Sequence, residues 1–315
     1  MASPYRLAES ATMRKEKQAQ FMRNVLVLLN AQAGTLIDAG TDGIVGHINE
    51  TLKPRCENLE VRLLQSHALV DAIRNTVPGP HDTVIVGGGD GSAGAAAAAF
   101  ASGDKVLGVL PLGTMNLLAA DLGMPSDPHA AVAALSDLAP RRIDLAEING
   151  RPFHTLSGLG FFSQMARARE EVRGHPAGRL ASVMLAGFRA LTRTTSFTID
   201  VLIDGQRERV RALAVLVTNN RFGADWRRAN LDEGVLEMHL VEDRGTLTKL
   251  RASAALLTGA WRTEQHVRSI ATSDLTITRR RRHTWASTDG ELARERVPLR
   301  YRVLPGALTV LSKSP

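Results

Sequence analysis

Thr83-Val84-Ile85-Val86-Gly87-Gly88-Gly89-Asp90-Gly91-Ser92, running on into the alanine-rich stretch to Ala101, is the segment that decides the fold. A short run of β-branched residues gives way to a glycine turn around one aspartate, and then to repeated alanine, the best helix former. Strand, glycine turn, helix is the order in which an α/β sheet offers a ligand loop. Glycines without a Cβ let backbone N–H groups approach phosphate oxygens, and the N-terminus of the next helix adds partial positive charge there. The segment therefore predicts a loop that holds a polyphosphate. No lysine follows, which excludes the G-x-x-x-x-G-K-S/T loop, and the spaced G-x-G-x-x-G fingerprint with an acidic residue ~20 positions on is also absent. A tight βα turn would explain the glycines alone, but not Asp90 inside the turn.

A second loop of similar chemistry lies close by, Pro111-Leu112-Gly113-Thr114-Met115-Asn116. It follows the apolar run Val106 to Leu110 and precedes a helix expected over Thr114 to Leu122, opened by a capping Thr and closed by Gly123 with Pro125 beyond. Ligands of open parallel sheets bind outside the carboxyl ends of the strands, so one nucleotide could touch both loops, with Thr114 and Asn116 facing the crevice. Working outward, Val25 to Leu29 gives another buried strand. Asp127 with Pro128 starts a helix through Leu138, and Arg142 to Ile148 reads as a strand. Three-layer α/β structure is expected through about residue 145.

The second half changes period. Phe197, Ile199, Val201 and Ile203 alternate with other residues, and Asp204-Gly205 is a hairpin turn into Arg209 to Val217. Further strands are expected at Val235 to Val241, Leu275 to Thr278 and Leu299 to Val303, with helical spacing over Leu180 to Leu191 and Leu247 to Trp261. An α+β or β-sandwich-like second domain follows.

The 315 residues, 44% hydrophobic, suffice for two cored domains. The single cysteine, Cys56, cannot form an internal disulfide and fits a reducing cytoplasm. No stretch approaches the ~20 apolar residues of a spanning helix. The net charge of +7 points to polyanions. With only 4% aromatics and no basic segment interleaved with stacking rings, nucleic acid ranks below an anionic membrane surface. Arg279-Arg280-Arg281-Arg282-His283, with Trp285 just beyond, is either an anchor on anionic headgroups or a strand end running into solvent.

Gly88-Gly89-Asp90-Gly91-Ser92 followed by Leu110 to Asn116 resembles the diacylglycerol kinase catalytic domain, which bacterial lipid kinases and sphingosine and ceramide kinases share. Asn30-Ala31-Gln32-Ala33-Gly34 resembles that family's first loop. Ile143-Asp144-Leu145 with Phe153 and Gly158-Leu159-Gly160-Phe161 resembles its domain junction, and Asp289-Gly290-Glu291 with Val303 to Leu308 its closing segment. The resemblance implies an NAD-kinase/diacylglycerol-kinase-like fold. An N-terminal extension would cover residues 1–22, an ATP-binding domain 23–145, and a β-rich lipid domain 146–303, with about 304–315 returning to the first domain. It places ATP phosphates on Gly88, Gly89, Asp90, Gly91, Ser92, Ala93 and Gly94, completed by Asn30, Gly34, Gly113, Thr114 and Asn116, and by Ser66 more remotely. Asp90 would position magnesium or donors near the phosphates, Glu291 would take the lipid hydroxyl proton, and Asp289 would support magnesium or orient the site. Some bacterial members hold a structural Mg²⁺ in a segment like Asn230 to Val235; Glu233 would then bind by side chain, and Asn230 and Val235 by carbonyl.

The sequence departs from the family at Ala31, Ala33 and Ser92, and at Glu233, where an aspartate is expected. The implied activity is ATP-dependent phosphorylation of a membrane lipid hydroxyl, with diacylglycerol leading and ceramide, sphingosine, phosphatidylglycerol and other lipids open. The implied protein is cytoplasmic, peripherally bound to the inner face of the membrane, and a possible homodimer. Two rivals stand beside this. An NAD kinase would share the Gly-Gly-Asp-Gly loop but usually carries an Asn-Glu pair further on, which is missing here; a non-catalytic lipid-binding regulator would have little use for Asp90 and Glu291.

Overall fold

The computed structural model describes residues 22–171, 194–223, 227–243 and 267–313. The helices expected at Leu180 to Leu191 and Leu247 to Trp261 lie outside the described residues, as does nearly all of the N-terminal extension. The chain divides into two compact units, one running to Ile143 and resuming at Gly306, the other spanning Asp144–Pro305.

In the first unit the strands are β1 (Asn24–Asn30), β2 (Asn58–Leu64), β3 (Thr83–Gly88) and β4 (Val106–Pro111). The helices are α1 (Gly34–Ala39), α2 (Thr41–Leu52), α3 (Ser66–Thr76), α4 (Asp90–Phe100), α5 (Leu117–Asp121) and α6 (Pro128–Ala134). The strands pair in parallel in the order β2-β1-β3-β4. Val25 to Leu29 and Val84 to Val86 are buried on both faces, which is why these strands read as unbroken apolar runs. β2, at the edge, alternates Leu59 and Val61 with the more exposed Glu60 and Arg62, a weaker signal.

The alanines of α4 have a packing role. Ala93, Ala96, Ala97 and Phe100 form its buried stripe at helical spacing. α6 starts as expected, with the Asp127 carboxylate accepting the Ala130 N–H at 2.8 Å, but gives way at Leu135 to a 3₁₀ turn. α5 is shorter than the sequence predicts: it begins at Leu117 rather than Thr114, because Asn116 has φ 51°, a left-handed conformation that a right-handed helix cannot contain.

The remaining elements are β5 (Ala139–Ile148), which begins in the first unit, then β6 (Arg151–Phe153), β7 (Leu156–Gly160) and α7 (Phe161–Glu171). They continue with β8 (Phe197–Ile203), β9 (Gln206–Asn219), β10 (Leu236–Glu242), β11 (Val267–Thr272), β12 (Asp274–Thr278), β13 (His283–Thr288), β14 (Glu291–Arg296) and β15 (Leu299–Ser312). In the second unit the strand order is β14-β13-β7-β9-β8-β12-β15, with β10 on β9 and β11 on β10. The pairings along it are antiparallel. Asp204 and Gly205 both take positive φ, the type I′ geometry that Asp-Gly favours, and they join β8 to β9. Alternate residues such as Ile199, Val201, Val215, Val217, Met238 and Ile277 fill the core. From Gly306 onward β15 belongs to the first unit, where Thr309 and Val310 pair in parallel with Val106 and Leu107 of β4. Among the described residues no helix is long and apolar enough to cross a membrane.

Tyr301 lies in the second core with its hydroxyl 3.1 Å from Ser157 Oγ, which also meets Thr288 Oγ1 at 2.9 Å. Burial pushes the phenol far above its ordinary value of 10.0. A folded-state pKa raised above the unfolded one gives stability that is present below about pH 10 and lost as pH rises past it. Urea denaturation at about pH 8 and about pH 10.5 is expected to show this alkaline loss in the native chain and less of it in Tyr301→Phe. The substitution itself should cost ~1 kcal/mol at the lower pH, since Ser157 keeps Thr288 as a partner. Equal alkaline slopes in both proteins would refute this assignment.

Candidate functional site

The parallel register sets Gly87 opposite Leu110 and Gly88 opposite Pro111, so the loops after β3 and β4 leave the sheet side by side. The Leu112 N–H donates to the Gly88 carbonyl at 3.0 Å. Side chains would not fit between them. A Cβ on Gly113 would run into the backbone of Gly89, and one on Gly88 would stand 2.5 Å from Ser92 Oγ. Ser92 and Ala93 make the first helical bonds of α4, to the Gly89 carbonyl, at 3.0 and 3.1 Å. The N–H groups of Asp90 and Gly91 precede that bond, at the positive end of the helix, where an anion is stabilised.

Asp90 ties the two loops together. Its carboxylate accepts the N–H groups of Asn116 at 3.0 Å and Leu117 at 2.6 Å, and so caps α5. Asn116 closes its own loop, its Oδ1 accepting from the Gly113 N–H and its Nδ2 donating to the Gly113 carbonyl, both at 2.9 Å. Of the two roles expected for Asp90, the observed bonds are those to donors of the second loop. Thr114 and Met115 are left exposed between these anchors. At the end of β1, Asn30 Oδ1 accepts from the Gln32 N–H at 3.0 Å and the Ser66 hydroxyl at 3.2 Å. Ser66 also donates to Gln32 Oε1 at 2.8 Å. Asn30, Ser66, Gly34 at the start of α1, the segment Gly88 to Gly94, Gly113, Thr114 and Asn116 thus all belong to the first unit, set by the carboxyl ends of β1, β3 and β4. Gln32 is the member of this rim that the sequence did not single out.

Asp289 and Glu291 belong to the second unit, on the β13–β14 hairpin. Asp289 and Gly290 have φ 49° and 85° and make its two-residue turn. The Asp289 carboxylate accepts three backbone N–H groups, from His154 and Thr155 at 2.9 Å each and from Leu156 at 3.2 Å. Its own N–H donates to the Leu156 carbonyl at 2.9 Å. The buried ring of His154 approaches the same carboxylate, with Nε2 3.6 Å away. These bonds fix the hairpin tip to the β6–β7 connection. Glu291 follows directly, exposed, and among the described residues its carboxylate has no hydrogen-bond or ion-pair partner.

The expected magnesium ligands do not fit a cation. Glu233 Oε2 lies 3.0 Å from the Arg221 guanidinium and accepts the Arg221 N–H at 3.4 Å, while Oε1 faces the Asn230 amide at 3.4 Å. The Val235 carbonyl accepts the Asn220 N–H at 2.9 Å. The Gly234 N–H donates to Asp144 Oδ2 at 2.7 Å. Among the described residues no three His, Cys, Asp or Glu side chains cluster to hold a metal. The longer arm of Glu233 reaches Arg221, and an internal guanidinium supplies the positive charge of this turn.

A glycine-looped α/β unit joined to a β-rich unit defines the class. Residues 24–148 match the diacylglycerol kinase catalytic domain and residues 160–312 match the YegS C-terminal NAD kinase beta sandwich-like domain. Residues 24–148 thus belong to the diacylglycerol kinase catalytic-domain family, and the two-part fold expected from the sequence holds. A Pseudomonas aeruginosa protein, "Probable lipid kinase YegS-like", is 40% identical over 108 residues, 33% of this chain and 35% of that protein. A Bacillus subtilis diacylglycerol kinase is 26% identical over 194 residues, 59% of this chain and 63% of that one. The chain thus spans less than two thirds of either relative. A solved diacylglycerol kinase from Bacillus anthracis str. Sterne shares the fold, with a TM-score of 0.69 at 17% identity, over 92% of this chain and 97% of that one.

Two outcomes follow from these contacts. Thermal unfolding without nucleotide is expected to show the same midpoint in excess Mg²⁺ and in a chelator, because a site that binds nothing adds no stabilisation; a midpoint several degrees higher with Mg²⁺ would restore the metal site at Glu233. Asp90→Asn replaces one acceptor oxygen with an amide facing a backbone N–H. It is expected to lower stability by about 1–3 kcal/mol as well as to weaken ATP binding, measured by denaturation and calorimetry.

Proposed function

We propose that this chain is an ATP-dependent lipid kinase, transferring the γ-phosphoryl group to a hydroxyl of a membrane lipid, with diacylglycerol as the leading acceptor and phosphatidate as its product. The observation that carries the proposal is the contact of the two glycine loops, Gly89 against Gly113, beside the N-terminus of α4. Backbone N–H groups crowded there suit a triphosphate, and phosphoryl transfer depends chiefly on positioning and charge neutralisation. Magnesium enters with ATP as part of that substrate. Gly88 to Gly94 bind the phosphates, and Asn30, Gly34, Thr114 and Asn116 line the nucleotide. Glu291 is the base: as the lipid oxygen bonds to the γ-phosphorus, its proton passes to the carboxylate and ADP leaves with the electrons of the broken P–O bond. Asp289 orients Glu291 through the hairpin it anchors. The protein acts on the cytoplasmic side, peripherally, at the membrane's inner face.

Glu291→Gln keeps volume and polarity but cannot take a proton. Turnover in mixed micelles at saturating ATP and diacylglycerol is expected to fall by about 10²–10⁴, with ATP affinity by calorimetry changed far less. Near-native turnover in the variant would remove Glu291 as base. ATP consumption by the native chain with NAD but not with lipid would overturn the lipid kinase assignment.

A further inference from the structure

Hairpin register concentrates unpaired positive charge around one exposed ring. Trp285 lies opposite Arg294 and His283 opposite Arg296 in the β13–β14 pair, and directly opposed residues share a face. The intervening Thr284 and Ala286 are buried, at 7% and 0% exposure, whereas Trp285 is 45% exposed, so this face is the outer one. Arg167 of α7 places its guanidinium 5.0 Å from the centre of the Trp285 ring. Arg280, Arg281 and Arg282, in the connection leading into β13, are exposed as well.

Elsewhere in the unit most arginines that reach the surface are matched by acids, Arg300 being an exception among the described residues. Arg207 and Arg209 share Asp200, Arg211 meets Asp243, Arg268 meets Glu208 and Arg302 meets Glu147. Among the described residues, no carboxylate pairs with Arg280, Arg281, Arg282, Arg294 or Arg296. Arg279 stands apart from the run that the sequence joins it to. It donates to Thr284 Oγ1 at 2.7 Å, lies 5.0 Å from the Phe197 ring, and has its pKa lowered by burial.

We propose that the outer face of β13–β14, with the Arg280 to Arg282 connection, docks on an anionic lipid bilayer. Arginines near such a surface each strengthen binding by roughly fivefold, and an exposed tryptophan settles at the headgroup level. A nucleic acid would call for several large rings on which successive bases stack, and among the described residues this face has one indole, already covered by Arg167, beside the His283 imidazole. β14 carries Glu291 at one end and Arg296 at the other, five residues or ~17 Å apart. Bilayer contact thus falls on the hairpin that bears the proposed base. The purpose of the contact rests on the lipid kinase reading; the contact itself does not.

The test uses the full chain without ATP, sedimented with vesicles of phosphatidylcholine alone or mixed with phosphatidylglycerol. The native chain is expected to bind the anionic vesicles and to be released by salt. Replacing Arg280, Arg281 and Arg282 together with Gln should weaken binding about a hundredfold at low salt, and Trp285→Ala severalfold. Replacing the already paired Arg207 and Arg209 with Gln should change little. With Trp226 and Trp261 replaced by Phe, the emission of Trp285 should shift to the blue on binding. Native-strength vesicle binding by the triple variant, no emission shift, or tighter binding to a single-stranded oligonucleotide than to vesicles would each overturn the proposal. Phosphorylation of a short-chain, monomeric acceptor is measured in parallel. Variants that keep this turnover while losing vesicles support the docking face, and a native chain that binds vesicles but phosphorylates nothing sinks the kinase and leaves the face standing.

Discussion

Gly89 and Gly113 approach so closely that a single methyl group on Gly113 would enter the backbone of its neighbour. That approach is a consequence of parallel pairing, which brings β3 and β4 to their carboxyl ends in register and leaves two chains to turn away in the same space. With side chains the loops would have to splay, Asp90 would lose Asn116 and Leu117, and α5 would have no cap. The glycines therefore serve the fold through one property, the absence of a Cβ, and that same property is what the proposed phosphate site would use.

Several carboxylates of this protein hold backbone loops in place. Asp90 gathers two N–H groups of the neighbouring loop, Asp289 gathers three from the β6–β7 connection, and Asp144, buried in the second unit, receives that of Gly234. Each such bond is stronger than one between neutral groups, and an oxygen so engaged has less capacity for a metal. Glu233 follows the same economy with a side chain, Arg221, as donor. Glu291 stands out against this pattern: Asp289, two residues before it, is pinned, while Glu291 is exposed and unpartnered among the described residues.

Long-range geometry separates what the sequence disclosed from what it hid. Buried parallel strands, the alanine helix, the Asp-Gly turns and the division into an α/β and a β-rich unit follow from local pattern, because glycine, proline and the period of apolar residues act over a few positions. β2 and β7 escaped, the first as a half-exposed edge and the second because its glycines, Gly158 and Gly160, suppress the strand signal while making room for Phe162 and Phe197. The start of α5 was misplaced because a left-handed Asn116 depends on Asp90, 26 positions away. Arg221 could not be matched to Glu233, 12 positions on, nor Arg294 to Trp285, until strand register and loop path were fixed. Residue types marked the glycine loops; only pairing revealed which acids are already occupied.

β15 serves two units with one uninterrupted strand, its residues to Pro305 in the second and those from Gly306 in the first. The β4 edge of the first unit thus acquires its neighbour, Thr309 and Val310, from the far side of the whole second unit in sequence. During synthesis on the ribosome the first unit must wait with that edge open while some 160 residues are added, because the strand that completes its sheet is translated after them. An open parallel edge of apolar residues is an aggregation hazard until that strand arrives. Messages cut short before Gly306 would yield a first unit left permanently in that exposed state.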